Sequence, residues 1–132
     1  MPSPSASRSR LSLVAAIPLI LLLAGCSVQA ATSPSQPASG GSASRGASDI
    51  QHLGCGTCHT IPGITGAYAN VGPPLTRIGT RTYIAGVLAN NPANLMRWIR
   101  SPQSVVPGNA MPDMGVTEAQ ARDIAAYLYT LR

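Results

Sequence analysis

The chain has 132 residues, only 10% of them charged, and its nine basic residues are all Arg. It contains no run of basic residues and no Gly-rich phosphate loop, so its net charge of +5 does not indicate a nucleic-acid partner. The charge also falls to +3 when residues 1–25 are removed, because two of the Arg lie there. Length and charge therefore predict one small domain and argue against a nucleic-acid-binding function.

Residues 1–25 have the pattern of a secretory signal peptide. Arg8 and Arg10 provide a positive start, and Leu11–Leu23 is an apolar run too short to span a bilayer comfortably. The sequence Leu23-Ala24-Gly25-Cys26 resembles the bacterial lipobox, in which cleavage leaves a lipid-modified Cys at the N-terminus. The alternative is an ordinary cleavage site with an incidental Cys. We expect export, with Cys26 anchoring the protein to a membrane that faces the periplasm or the cell exterior.

Residues 26–46 are mostly Ser, Ala, Gly, Pro, Gln and Thr, which predicts a flexible linker after the lipidated Cys. The folded domain is then predicted at residues 47–132, about 85 residues, a size at which domains often depend on a cofactor, metal or disulfide. Cysteine usage agrees with this division. Lipidation of Cys26 would leave Cys55 and Cys58 for one shared role, with no unpaired thiol in an oxidising compartment.

Four helical segments are predicted within the domain. Ser48 is a candidate N-cap for a short helix running into Cys55, and residues 82–88 form a second candidate helix. Asn91 and Pro92 begin a third helix that Pro102 ends, and Thr117 caps the last one.

The residues between these helices are rich in Gly and Pro from Pro62 to Gly79 and again around Pro107. No segment alternates as a strand would. We therefore predict an all-α fold of about three to five helices whose long loops wrap around another group.

Cys55-Gly56-Thr57-Cys58-His59 is the strongest chemical motif, because C-x-x-C-H is typical of covalent attachment of c-type haem. One helical turn places two thiols where they can add to the porphyrin vinyl groups, and the next residue directs an imidazole toward the iron. A zinc site would need a fourth ligand, for which only His52 is available. A thioredoxin-like pair would need a preceding strand, and a plain disulfide would leave His59 unexplained.

An electron-carrying haem needs a second axial ligand, which in cytochromes c is usually a Met. Met1 is lost with the signal peptide, and Met96 lies within a predicted helix as a core residue. Met111 and Met114 both lie in a downstream loop, and either can supply the thioether. Each could instead be a gap-filling core residue.

From about Gly46 onward the sequence resembles class I cytochromes c, in particular the cytochrome domain of caa-type oxidase subunit II and its free-standing lipoprotein relatives. The resemblance is carried by the haem motif, Gly72-Pro73-Pro74-Leu75, a Trp98-containing helix leading into Pro107-Gly108-Asn109-Ala110-Met111-Pro112, and a final helix with Ala126-Tyr127-Leu128.

The resemblance implies several residue roles. The Met of the Met-Pro pair is the distal ligand, which selects Met111, with His59 as the proximal ligand of one covalent haem c. The Pro73 carbonyl is expected to accept a hydrogen bond from His59 Nδ1. The first and last helices are expected to cross at Gly46, Ile50, Ile124 and Tyr127.

The remaining candidate residues are expected around the haem, in the core or on the surface. Trp98 is expected to pack against the haem, where its Nε1–H is a candidate donor to a propionate, and His52 is expected on an exposed helix face. Tyr83, Tyr127 and Tyr129 are expected to be buried or half-buried. The basic residues of the middle of the domain are expected on a solvated face, with one reaching a propionate: Arg77, Arg81, Arg97 and Arg100.

The sequence thus predicts a monohaem electron carrier that transforms no small-molecule substrate, since no catalytic triad or carboxylate pair accompanies the motif. Its partners are expected to be redox proteins of a bacterial respiratory chain, and the resemblance favours delivery to or within a terminal oxidase. Two alternatives stay open. One is a haem subunit of a periplasmic dehydrogenase complex, and the other is a gas-sensing haem domain.

Overall fold

The computed structural model describes residues 39–132, and it is mostly helical, as predicted. The predicted signal peptide, Cys26 and most of the predicted linker lie outside these residues. None of the described helices is long and apolar enough to cross a membrane. The elements are α1 (Ala43–His52), β1 (Tyr83–Ile84), β2 (Leu88–Ala89), α2 (Pro92–Arg100), α3 (Pro102–Val105) and α4 (Glu118–Leu128), with 3₁₀ turns at Cys55–Thr57 and Ile78–Thr80.

The first helix begins earlier than predicted. Ser42, not Ser48, is the N-cap, and its side chain accepts a hydrogen bond from the Arg45 N–H. The helix therefore includes residues 43–46, which composition assigned to the linker. It also ends before the haem motif, because Gly54 adopts a left-handed conformation (φ +70°) and separates α1 from the 3₁₀ turn at Cys55.

α1 packs mainly against α4, and Gly46, one of the residues that the resemblance implied, lies at the crossing. A Cβ on Gly46 would overlap the backbone carbonyl of Asp123, so the two helices approach backbone to backbone at this point. Ile50 and Ile124 are buried beside the crossing, with 1% and 2% of their surfaces exposed. The small residue at position 46 is thus required by the helix crossing.

The predicted helix over residues 82–88 is wrong, because these residues form part of an antiparallel hairpin that pairs Tyr83 with Ala89 and Ile84 with Leu88. Ala85 and Gly86 both have positive φ, and the Val87 N–H donates to the Ile84 carbonyl, as in a type I′ turn. The Gly directly after Ala85 favours this turn over a continuous helix.

The predicted caps of the later helices are confirmed. The Asn91 side chain accepts from the Asn94 N–H, and Pro92 occupies the first turn of α2. Thr117 and Gln120 form a reciprocal capping box at the start of α4. Pro102 follows the end of α2 and starts the short helix α3.

A buried carboxylate joins the start of α1 to α4. Asp123 accepts a bidentate pair of hydrogen bonds from Arg45, at 2.7 and 3.0 Å, and a third from the Ser42 N–H at 2.6 Å. The Asp123 residue is only 7% exposed. The hydrogen bonds from Arg45, followed by that from Ser42, lower the pKa of Asp123 despite its burial.

We predict that Asp123→Asn lowers the denaturant midpoint of unfolding, and that the difference from the parent depends on pH. Because the folded pKa of Asp123 is depressed, its contribution is fully present above the unfolded-state pKa of about 3.9 and disappears as the pH falls through the lower folded value. Urea unfolding followed by circular dichroism, at neutral pH and at pH about 2, measures this difference.

Glu118→Gln is the matched control, because Glu118 pairs with Arg122 and Arg100 on the exposed surface. Its effect should be small at both pH values. An Asp123→Asn effect that stayed constant across the titration would contradict the electrostatic explanation.

Candidate haem site

A cavity of about 490 Å³ lies inside the domain, lined by residues of α1, α2, α4 and the loops between them. Its walls are mainly apolar and include the helical core residues Ile50, Leu95, Ile99, Ile124 and Leu128. Cofactor sites are typically apolar cavities of this size with a few polar groups that fix orientation. The same residues that pack the helices therefore also enclose a ligand-sized space.

Both thiols of the C-x-x-C-H motif line this cavity. They are free and partly buried, and burial raises the pKa of the Cys55 thiol. The Cys55 carbonyl accepts from the Cys58 and His59 N–H groups at 3.3 and 3.1 Å, which holds the motif as one tight turn. Gly56 lies against Ala67, where a Cβ would approach the Ala67 Cβ to 2.7 Å.

His59 also lines the cavity and is oriented by the hydrogen bond that the resemblance implied. Its Nδ1 lies 2.8 Å from the Pro73 carbonyl oxygen, and because a carbonyl only accepts, Nδ1 must carry the proton. Nε2 is then unprotonated in the neutral ring and can bind a metal.

Gly72 fixes the same imidazole from the side. A Cβ at this position would lie 2.7 Å from His59 Nδ1 and closer still to Cε1, so no larger residue fits without moving the ring. The Gly72 N–H donates to the Cys58 carbonyl at 2.7 Å, which ties this loop to the haem motif. The sequence identified Gly72 as part of a motif, and the structure supplies the steric reason.

Met111 and Met114 both line the cavity. Met111 is partly buried, whereas Met114 is 40% exposed. Met96 packs against the hydrophobic core from outside this lining, as expected of a core residue. Burial thus favours Met111 over Met114 as the residue held against a cofactor.

Trp98 and Arg81 line the cavity, while Arg77, Arg97 and Arg100 do not. The prediction that Tyr83 is half-buried is wrong, since it is 60% exposed on the hairpin. His52 is exposed, as predicted, and its Nδ1 donates to the Ser48 carbonyl. A propionate contact by Trp98 or an Arg stays a prediction.

Tyr127 and Tyr129 have structural roles. The Tyr127 hydroxyl donates to the Pro62 carbonyl at 2.5 Å, and that of Tyr129 donates to Asn90 at 2.8 Å. Burial raises the pKa of both phenols, so both remain protonated donors at neutral pH.

These features fit a covalently bound haem. Two free thiols, a metal-binding nitrogen of fixed tautomer and two thioethers meet at one apolar cavity, which matches the donor set of a c-type site. The site therefore defines a haem protein of the c type.

Comparison with known proteins agrees with this assignment of a c-type haem site. Residues 43–132 match the model of the cytochrome c family, described as "Cytochrome c", and the chain belongs to that family. It accordingly carries covalently attached haem c and functions in electron transfer.

Three relatives carry the name "Cytochrome c oxidase subunit 2". The protein from Alkalihalophilus pseudofirmus is 42% identical over 93 residues, covering 68% of this chain and 26% of that protein. That from Bacillus sp. strain PS3 is 36% identical over 87 residues, covering 63% and 24%. That from Bacillus subtilis is 35% identical over 71 residues, covering 52% and 20%. The chain thus spans about a quarter or less of the length of these relatives.

We predict that Gly72→Ala displaces the His59 ring and weakens its hydrogen bond to Pro73. The expected cost is about 1–3 kcal/mol of stability, the usual penalty for overpacking, together with a shifted haem absorption spectrum. Asn70→Ala, an exposed position in the same loop, is the control and should leave both unchanged. A Gly72→Ala protein with the parental spectrum and unfolding midpoint would show that the contact is not restrictive.

Proposed function

We propose that this protein is a monohaem, membrane-tethered electron carrier of a bacterial respiratory chain that passes electrons to or within a terminal oxidase. The observation that carries the proposal is the placement of His59 and Met111 at one cavity, with His59 fixed by the Pro73 carbonyl. Together, His59 and Met111 would supply two iron ligands, an imidazole and a thioether, to a haem bound there and would leave no open position for a substrate.

The proposed mechanism is electron transfer without bond making, in which the haem iron supplies the one-electron chemistry. The residues Cys55, Cys58, His59 and Met111 would hold the haem, and the apolar walls of the cavity would exclude water. A thioether ligand raises the reduction potential, which suits delivery to an oxidase.

The oxidase assignment is supported by the names of the three relatives. This chain covers about a quarter or less of their length, so the acceptor is part of the proposal. We infer that electron transfer occurs through small, transient contacts between redox proteins, and that the chain is a carrier or subunit and not itself a complete enzyme.

We predict that Met111→Ala abolishes the weak far-red charge-transfer band of thioether-ligated ferric haem, because the ligand is lost. The reduction potential should fall by on the order of 0.1 V or more, within the about 0.8 V range that axial ligands set. The reduced variant should also bind carbon monoxide readily.

Met114→Ala is the matched control and should change none of these properties, because Met114 is the more exposed of the two thioethers. The reverse pattern would transfer the ligand role to Met114. Parental behaviour of both variants would mean that the site is not His/Met, and ready carbon monoxide binding by the parent would favour a gas-sensing haem domain.

We predict that Cys26→Ser moves the protein from the membrane fraction to the soluble fraction with its haem spectrum unchanged. The prediction rests on the lipobox-like sequence at Leu23–Cys26, since the acyl chains of a lipidated Cys26 would supply the membrane affinity. Fractionation and immunoblotting in cells lacking other oxidase subunits measure the change. Continued membrane association of the variant would contradict anchoring through Cys26.

A further inference from the structure

The loop that carries Met111 has few hydrogen bonds of its own. Pro107 and Pro112 lack an N–H, and Gly108 has a positive φ of 78°. Among the described residues, segment 107–116 has one backbone-to-backbone hydrogen bond, from the Asn109 N–H to the Val106 carbonyl at 3.2 Å. The conformation of this loop must therefore be held by side chains.

Gln103, on α3, supplies three of these side-chain hydrogen bonds. Its Nε2 donates to the carbonyls of Asn109 and Met111, at 2.9 and 2.8 Å, and its Oε1 accepts from the Gly108 N–H at 3.1 Å. Since the two carbonyls can only accept and the N–H can only donate, the orientation of the carboxamide is fixed by its partners. Gln103 is exposed, so it does not serve as a core residue.

Asn109 completes the connection from inside the loop. Its Nδ2 donates to the Pro102 and Val106 carbonyls, at 3.0 and 2.6 Å, and its Oδ1 accepts from the Met111 N–H at 2.8 Å. Both backbone polar groups of Met111 are thereby connected to α3. Its N–H is held through Asn109, and its carbonyl is held by Gln103.

We propose that Gln103 is a positioning residue that holds the Met111 thioether in place as the distal ligand. This inference rests on the proposed His/Met site. Gln103 does not touch the cavity, since it is absent from its lining, and it acts only through the Met111 backbone. Its role is to limit how often the thioether leaves its position, and not to set the chemistry of the bound state.

Gln103→Glu tests the proposal with almost no change in shape. The variant retains an acceptor for Gly108 but loses both donors, and its carboxylate faces the carbonyls of Asn109 and Met111. Gln103→Ala also removes both donors but introduces no charge, so it separates loss of the hydrogen bonds from repulsion by the carboxylate.

The measurement is the rate at which the reduced holoprotein binds carbon monoxide at saturating gas, which reports departure of the distal ligand. At neutral pH we expect Gln103→Glu to bind about tenfold faster than the parent, equivalent to about 1.4 kcal/mol and comparable to the loss of one or two hydrogen bonds. Gln103→Ala should also bind carbon monoxide faster than the parent, because it lacks the same two donors.

Gln51→Glu is the matched control, an exposed glutamine on α1 whose Nε2 donates to the Thr65 carbonyl. It should bind carbon monoxide at the parental rate. The reduction potential of Gln103→Glu should also stay close to that of the parent, because the ligand set is unchanged.

Two outcomes would overturn the proposal, and they are distinguishable. If Met111→Ala speeds carbon monoxide binding but Gln103→Glu matches Gln51→Glu, the His/Met site stands and the role of Gln103 is refuted. If Met111→Ala itself has no effect, the ligand assignment fails and the inference fails with it.

Discussion

The apolar side chains of this domain surround a cavity, and the rest of the structure depends on how that cavity is filled. Ile50, Leu95, Ile99, Ile124 and Leu128 belong to the hydrophobic core and also line the cavity. The chain contains no Phe that could fill such a space. Because an empty cavity forfeits both packing contacts and hydrophobic stabilisation, the haem of this family acts as the centre of the core as well as the redox group. Attachment at Cys55 and Cys58 makes that centre part of the chain.

Both proposed axial ligands are supported through the backbone. The Pro73 carbonyl orients His59 directly, and Gly72 leaves room for the ring. On the other loop, Gln103 contacts the Met111 backbone, not its side chain. Proline accompanies both ligand loops, and it restricts φ while removing hydrogen-bond donors. Polar side chains supply the missing contacts in the Met111 loop, whereas the Gly72 N–H bonds to the Cys58 carbonyl in the other loop. Both loops are therefore ordered without regular secondary structure.

The sequence predicted most clearly what depends on neighbouring residues. The Asn91 and Thr117 caps and the C-x-x-C-H turn are local, and each is recognisable from a few adjacent positions. The start of α1 could not be placed because residues 39–46 have a linker-like composition, and their order depends on Asp123, about eighty residues away. Likewise, the hairpin at Tyr83 was not predicted because its strands are too short to show an alternating pattern. The role of Gln103 was not predicted because its partners are backbone atoms, which leave no signal in the sequence. The sequence did not show that the residues of the helix faces also form the cavity walls.

The junction at Asp123 has a mechanical consequence. A pull on the chain ahead of residue 39 would load the Ser42 N–H and the paired Arg45 side chain, both held by one carboxylate on α4. The close contact of Gly46 with the Asp123 backbone is the next one along α1. These contacts would therefore resist tension where α1 crosses α4, before the tension reached the turn at Cys55. A domain pulled by its N-terminus would then retain the geometry of its haem site.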